Sequence, residues 1–111
     1  MEEGLAKKKC VPCEGGVLPM PPEKSRQYLS QVLGWELIED KKIRKEFKFA
    51  DFKQSLDFVN KVGKIAEEEQ HHPNITIIYN KVVISLTTHA IGGLSENDFI
   101  MAAKINALNK A

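Results

Sequence analysis

The stretch EEEQHHPNITIIYNKVVISLTTH, residues 67–89, holds all three histidines of this 111-residue chain. His71 and His72 are adjacent and abut Pro73, and His89 follows seventeen positions after His72. Imidazole is the side chain whose ordinary pKa suits proton transfer in both directions near neutral pH. Glu67 stands four residues before His71, a spacing that makes two side chains neighbours on one helix face. A carboxylate there would hold an imidazole in one tautomer and raise its basicity. No obvious nucleophile accompanies the cluster, so it points to general acid–base chemistry rather than covalent catalysis. Three histidines can also hold zinc. However, adjacent His71 and His72 diverge in direction, unlike the i, i+4 histidines that share a metal on a helix. No metal is expected there.

A second cluster is Cys10-Val11-Pro12-Cys13, after the run Lys7-Lys8-Lys9. One Cys-x-x-Cys pair supplies two of the four ligands that a zinc site needs, and there is no second pair. A redox pair usually opens a helix, whereas glycines and prolines follow here. The preferred reading is a reduced tail with a solvated lysine run; zinc shared with another chain stays open.

The histidines need elements to carry them. Pro22 followed by EKSRQYLSQVLG reads as a helix with proline near its first turn, a stripe of Tyr28, Leu29, Val32 and Leu33, and Gly34 as its stop. WELIED and KIRKEFKFA read as two strands joined by a tight turn near Asp40 and Lys41. In the second, Ile43, Phe47 and Phe49 alternate with Arg44, Glu46 and Lys48, while Lys45 breaks the apolar face and should fray toward water. Asp51 sits at an N-cap, and Phe52, Leu56, Val59, Gly63 and Ala66 share one face of a long helix, widened by Phe58, Val62 and Ile65. Gly63 implies a closely packed neighbour.

That helix must end by His72, because Pro73 disfavours the helical conformation of the residue before it. ITIIY and VVISLTT follow as a hairpin turning between Tyr79 and Lys81. On its second strand, Val83, Ser85, Thr87 and His89 point one way, and Val82, Ile84, Leu86 and Thr88 the other. The return brings His89, at the strand's end, back toward His71 and His72. Finally Ser95 introduces a helix through ENDFIMAAKINALNK, with acidic residues in its first turn and lysine in its last.

The order α-β-β-α-β-β-α with short strand links predicts an α+β fold: a four-stranded antiparallel sheet with helices packed on one face. Residues 1–20 read as an irregular tail and residues 21–111 as one domain. With 16 basic and 15 acidic residues, the net charge of +1 offers no general attraction for nucleic acid or anionic membrane. No apolar run reaches the ~18 residues needed to span a bilayer. MEEGLAKKKC lacks the apolar core of a secretory signal, so a cytoplasmic protein is expected.

The spaced set Glu67, His71-His72-Pro73, Tyr79, His89 and Asp98 resembles the signature of the pterin-4a-carbinolamine dehydratase family at every position. GWELIED, KEFKF, ADFKQSLDFV, YNKVVISLTTH and GLSENDF are similar to that family too, over roughly residues 20–108. The resemblance implies a dehydratase converting 4a-hydroxytetrahydrobiopterin to quinonoid dihydropterin, with no metal or organic cofactor, working as a homodimer or homotetramer. It implies His71 and His89 as acid and base, His72 as binder of the pterin, and Glu67 as the group orienting His71. Pro73 fixes the turn, and Thr88, Ala90 and Ile91 line the pocket. Asp98 fills the last position of the signature or favours its helix N-terminus, and Trp35 is a pocket wall or a core residue. Animal members also act as dimerisation cofactors for a homeodomain transcription factor, which makes a protein-interaction module the alternative. A molybdopterin-related pterin is the alternative substrate.

Overall fold

The computed structural model describes residues 2–11 and 18–109. Its elements are α1 (Glu2–Ala6), α2 (Pro22–Leu29), β1 (Glu36–Ile38), β2 (Lys42–Lys48), α3 (Phe52–Glu69), β3 (Asn74–Ile78), β4 (Lys81–Leu86), a 3₁₀ turn (His89–Ile91) and α4 (Glu96–Leu108). The strands form one antiparallel sheet in the order β1-β2-β4-β3. This is the expected α+β architecture. The tail expected to be irregular opens with α1, because Leu5 finds an apolar place against α4 and is buried.

Alternation decides which sheet face is covered. Ile43 and Phe47 of β2 and Val82, Ile84 and Leu86 of β4 are all buried, whereas Val83 and Ser85 between them stay partly exposed. Across this layer lies α4, on which Phe99, Ile100, Met101, Ala102, Ala103 and Ile105 are buried. A helix apolar on all sides suits a place inside the helical layer. It ends at Leu108, and the lysine expected in its last turn, Lys110, lies outside the described residues.

Several local expectations shift. Glu39 and Asp40 have φ of 52° and 57° and the Lys41 N–H closes on the Ile38 carbonyl at 3.0 Å, so the β1–β2 link of residues 39–41 turns on two left-handed residues, one position earlier than expected. Such turns match the twist of paired strands. α2 stops at Leu29 instead of running to Gly34, and Leu33 of its expected stripe is exposed.

Lys45 does not fray. Its Nζ donates to the Leu33 carbonyl and to Asn106 Oδ1, both at 2.9 Å, and lies 4.8 Å from the centre of the Phe47 ring. A flexible aliphatic stem lets a lysine occupy a core-facing position when its head finds oxygen.

On α3 the buried face is Ser55, Phe58, Val62 and Ala66, while Phe52 and Leu56 are 47% and 40% exposed. The helix is thus turned so that Phe58 and Val62, expected only to widen the stripe, carry the packing together with Ser55 and Ala66. A Cβ at Gly63 would meet nothing within 4 Å, so no neighbour packs closely there. Asp51 caps α3 as expected, accepting from the Gln54 N–H at 2.9 Å.

Candidate active site

α3 ends before the histidines. Gln70 takes a left-handed conformation with φ of 52°, and its N–H and that of His71 both turn back to the Ala66 carbonyl. Pro73 then commits the chain to β3, so His71 and His72 leave the helix in different directions. The end of α3 and its exit therefore place two imidazoles at one mouth.

His71 points inward, with its side chain 12% exposed, and its Nε2 lies 2.7 Å from Asp98 Oδ1. Asp98 is fully buried in the first turn of α4. Its other oxygen accepts from Thr88 Oγ1 at 2.8 Å and from the Ser95 N–H at 3.0 Å. Since the Thr88 proton is spent on Asp98, the Ser95 hydroxyl must donate in the 2.8 Å contact between the two. The Thr88 hydroxyl, the Ser95 N–H and the positive end of α4 thus surround one buried carboxyl group. Its Oδ1 stands opposite His71 Nε2, so Nδ1 is the ring nitrogen that this contact leaves open.

His72 faces water. Its Nε2 is 2.5 Å from Glu67 Oε2. The expected pairing of Glu67 with His71 is therefore replaced by Glu67 with His72 and Asp98 with His71. The i, i+4 argument fails because residue 70 has already left helical geometry, which swings His71 away from Glu67. Asp98, expected either as the last position of the signature or as a helix-favouring charge, serves both its helix and His71.

His89 does not end a strand. β4 stops at Leu86, and His89 opens the 3₁₀ turn, exposed to solvent. The turn is closed at its base by Thr88 N–H donating to the Gly93 carbonyl at 2.8 Å, and tied to the β1–β2 turn by Thr87 Oγ1 donating to the Lys41 carbonyl at 2.6 Å.

His71, His72 and His89 line one cleft of about 610 Å³, together with Thr88 and Ala90. Convergence of the three imidazoles, inferred from hairpin return and strand parity, is thus what the structure has. Glu67, Pro73, Ile91 and Asp98 do not line the cleft; Asp98 acts from behind His71. Trp35 is also absent from the cleft. It is buried, donates from Nε1 to Asn106 Oδ1 at 3.0 Å and packs edge-on against Phe47.

Residues not expected at the site also line the cleft: Thr87, Asn97 and Cys10-Val11 from the N-terminal segment. Nothing in the types of Thr87 and Asn97 marks them, since an asparagine in a first helical turn reads as ordinary, and Cys10 stands out only for its pairing with Cys13. The Cys10 thiol is half-buried, and burial, aided by Glu69, pushes its pKa up to about 12. It stays protonated at neutral pH, which is unlike a reactive redox cysteine. Cys13 lies outside the described residues. Among the described residues, no three His, Cys, Asp or Glu side chains are placed to share a metal ion. No helix among them is long and apolar enough to cross a membrane.

Comparison with known proteins adds an independent line. The family model for pterin 4 alpha carbinolamine dehydratase matches residues 18–108. Two bacterial proteins that carry the pterin-4-alpha-carbinolamine dehydratase name are close in sequence. The one from Nitrosospira multiformis is 52% identical over 106 residues, covering 96% of this chain and 93% of its own. The one from Rubrobacter xylanophilus is 45% identical over 104 residues, covering 94% and 97%. A crystal structure of a transcriptional coactivator/pterin dehydratase from Brucella melitensis superposes with a TM-score of 0.79 at 31% identity, covering 83% of this chain and 99% of that one. A pterin dehydratase-like protein described as a RuBisCO assembly factor of the alpha-carboxysome matches at TM-score 0.60 and 25% identity, over 70% and 92% of the two chains. The fold therefore also serves in proteins named for assembly roles, and activity must be argued from the site.

Proposed function

The chain belongs to the pterin-4a-carbinolamine dehydratase family of hydro-lyases, and from that premise we propose that its histidine cleft dehydrates a 4a-hydroxytetrahydropterin such as 4a-hydroxytetrahydrobiopterin. The observation that carries this reading is His71, backed by the buried Asp98, facing the same cleft as His89. Dehydration breaks the C4a–O bond as the leaving hydroxyl takes a proton, forming water. The N5 proton departs to a base, and the N5 electron pair closes the C4a=N5 double bond. Two groups on one cleft, one donating and one accepting, suffice, and each such transfer contributes typically 10²–10⁴-fold.

In this reading Asp98 is a positioning residue. It holds His71 with Nε2 protonated and stabilises the imidazolium, while Nδ1 exchanges protons with substrate. His89, exposed on its 3₁₀ turn, is the complementary acid or base. His72, with Glu67 fixing its ring, binds the pterin, and Thr88 and Ala90 complete the wall. The product would feed tetrahydropterin recycling.

The face of α3 left open supports a homo-oligomer. Phe52 and Leu56 are exposed on α3, and the space over Gly63 is empty. A transcription-factor cofactor role finds no supporting feature in the cleft, which a pure interaction module would not need.

The deciding experiment follows decay of 4a-hydroxytetrahydrobiopterin with wild type, His71→Ala, His89→Ala and the double variant. Each single variant should lose about 10²–10⁴-fold in kcat while keeping its fold. Near-wild-type turnover by the double variant would remove the mechanism.

A further inference from the structure

The family model begins at residue 18, yet part of the cleft wall comes from before it. Residues 6–11 run across α4 and the end of α3 on a series of attachments. Lys104 Nζ donates to the Ala6 carbonyl at 2.8 Å, and Lys8 pairs with Glu96 at 2.8 Å. The Cys10 N–H donates to Glu69 Oε1 at 2.8 Å. Asn97 then embraces Val11: the Val11 N–H donates to Asn97 Oδ1 at 2.9 Å, and Asn97 Nδ2 donates to the Val11 carbonyl at 2.6 Å. This is the hydrogen-bond pattern that a neighbouring strand would offer, supplied by one buried amide side chain.

An arm whose purpose was only to cover the core would bury its side chains. Here the backbone is docked while Val11 is left 66% exposed, and it borders the cleft that holds His71 and His89. Asn97 and Glu69, which hold the arm's backbone at Val11 and Cys10, border the same cleft. A docked backbone that presents an apolar side chain beside polar imidazoles is what a flat, partly apolar ring system needs for orientation.

We propose that residues 8–11 are a substrate-binding arm: docked by Asn97 and Glu69, they wall the histidine cleft and present Val11 to the apolar face of the bicyclic substrate. The proposal rests on the dehydratase reading of that cleft. Asn97 and Glu69 are positioning residues for the arm, and Val11 is a specificity-determining contact.

The test uses the full chain and two variants. Asn97→Leu removes both bonds to Val11 at nearly constant volume, and Val11→Asp leaves the docking backbone intact but changes the wall. Each should raise KM for the carbinolamine about tenfold with kcat within about twofold, the pattern of lost binding common to ground and transition states. Affinity for 7,8-dihydrobiopterin, a stable pterin read by fluorescence titration, should fall in parallel. In a Cys13→Ser background, the reaction of Cys10 with a disulfide reagent should accelerate in Asn97→Leu and not in Val11→Asp, reporting undocking separately from binding.

If Asn97→Leu frees Cys10 but leaves KM and pterin affinity unchanged, the arm is no substrate wall, and dehydration by the cleft still stands. If Asn97→Leu unfolds, Val11→Asp decides, and unchanged KM and affinity in that variant overturn the proposal. A wild type that binds the pterin without turnover, with Val11→Asp weakening it, upholds the arm and removes the dehydration. A wild type that neither binds nor dehydrates overturns both.

Discussion

Replacing Asp98 by Asn isolates what the buried carboxylate does, because it changes charge and hydrogen-bond polarity at constant shape. Asp98 is fully buried and accepts from three groups: His71 Nε2 at 2.7 Å, Thr88 Oγ1 at 2.8 Å and the Ser95 N–H at 3.0 Å. An amide has one accepting atom. If that oxygen faces Thr88 and Ser95, its NH₂ faces His71 and demands a lone pair on Nε2. The imidazole proton then moves to Nδ1, and the nitrogen meant to accept from substrate becomes a donor. If the amide is turned over, its NH₂ confronts the Ser95 N–H, leaving a buried donor unsatisfied at about 1–3 kcal/mol. The first arrangement is the cheaper one, so the variant should fold with His71 in the wrong tautomer.

The expected loss in kcat is about 10²–10⁴-fold, the worth of one correctly presented acid–base group. No hydrogen bond is lost in that arrangement, but the bonds lose their charge assistance, which costs about 1–1.5 kcal/mol. For a domain of about 100 residues, the 1.5 kcal/mol end of that range lowers Tm by roughly 6–12 °C. The assay is carbinolamine decay for kcat, thermal unfolding for Tm, and nitrogen–proton correlation NMR of the His71 ring for the tautomer. Two results would refute the reasoning: wild-type turnover in folded Asp98→Asn, or a neutral wild-type His71 protonated at Nδ1.

Three further outcomes follow from the same contacts. A Cβ at Gly93 would stand 2.6 Å from Pro19 Cβ, so Gly93→Ala should displace the turn that carries His89 and lower kcat about tenfold or more; unchanged kcat would show that the turn absorbs the clash elsewhere. Lys45→Met removes the Nζ bonds to Leu33 and Asn106, far from the cleft, and should lower Tm by several degrees, on the order of 1 kcal/mol, with KM and kcat intact. The Glu96 carboxyl is held below its usual 4.5, chiefly by the hydrogen bond from Lys8, against an opposing push from burial. Its depressed value means that this stabilisation is complete above pH ~4.5 and fades as pH falls through the folded value. Glu96→Gln should therefore lower Tm at neutral pH, with the difference from wild type shrinking in acid; a pH-independent difference would refute the linkage.

The chemistry and the fold class were both legible in order along the chain. Alternation in KIRKEFKF and VVISL marks half-covered strands, Asp51 and Ser95 mark helix starts, and Pro73 marks where a helix must stop. Those are local rules of period and backbone geometry, and they were enough to predict that His71, His72 and His89 converge. The rotation of α3 was not legible. Phe52 and Phe58 are equally apolar, and only the position of the sheet decides that Phe58 is buried and Phe52 exposed. Lys45 likewise reads as a fault in a strand until Leu33 and Asn106 supply oxygens from distant segments.

At the site the division is the same. Residue types by themselves determined that three imidazoles and nearby carboxylates could move protons. Tertiary structure decided which carboxylate serves which histidine. The left-handed Gln70 turns His71 away from Glu67 and toward Asp98, twenty-seven residues on, and the docking of the N-terminal segment sets Val11 opposite Asn97 from the far end of the chain. Pattern along a chain reports periods and breaks, but a hydrogen-bond partner brought by a separate element leaves no trace in spacing.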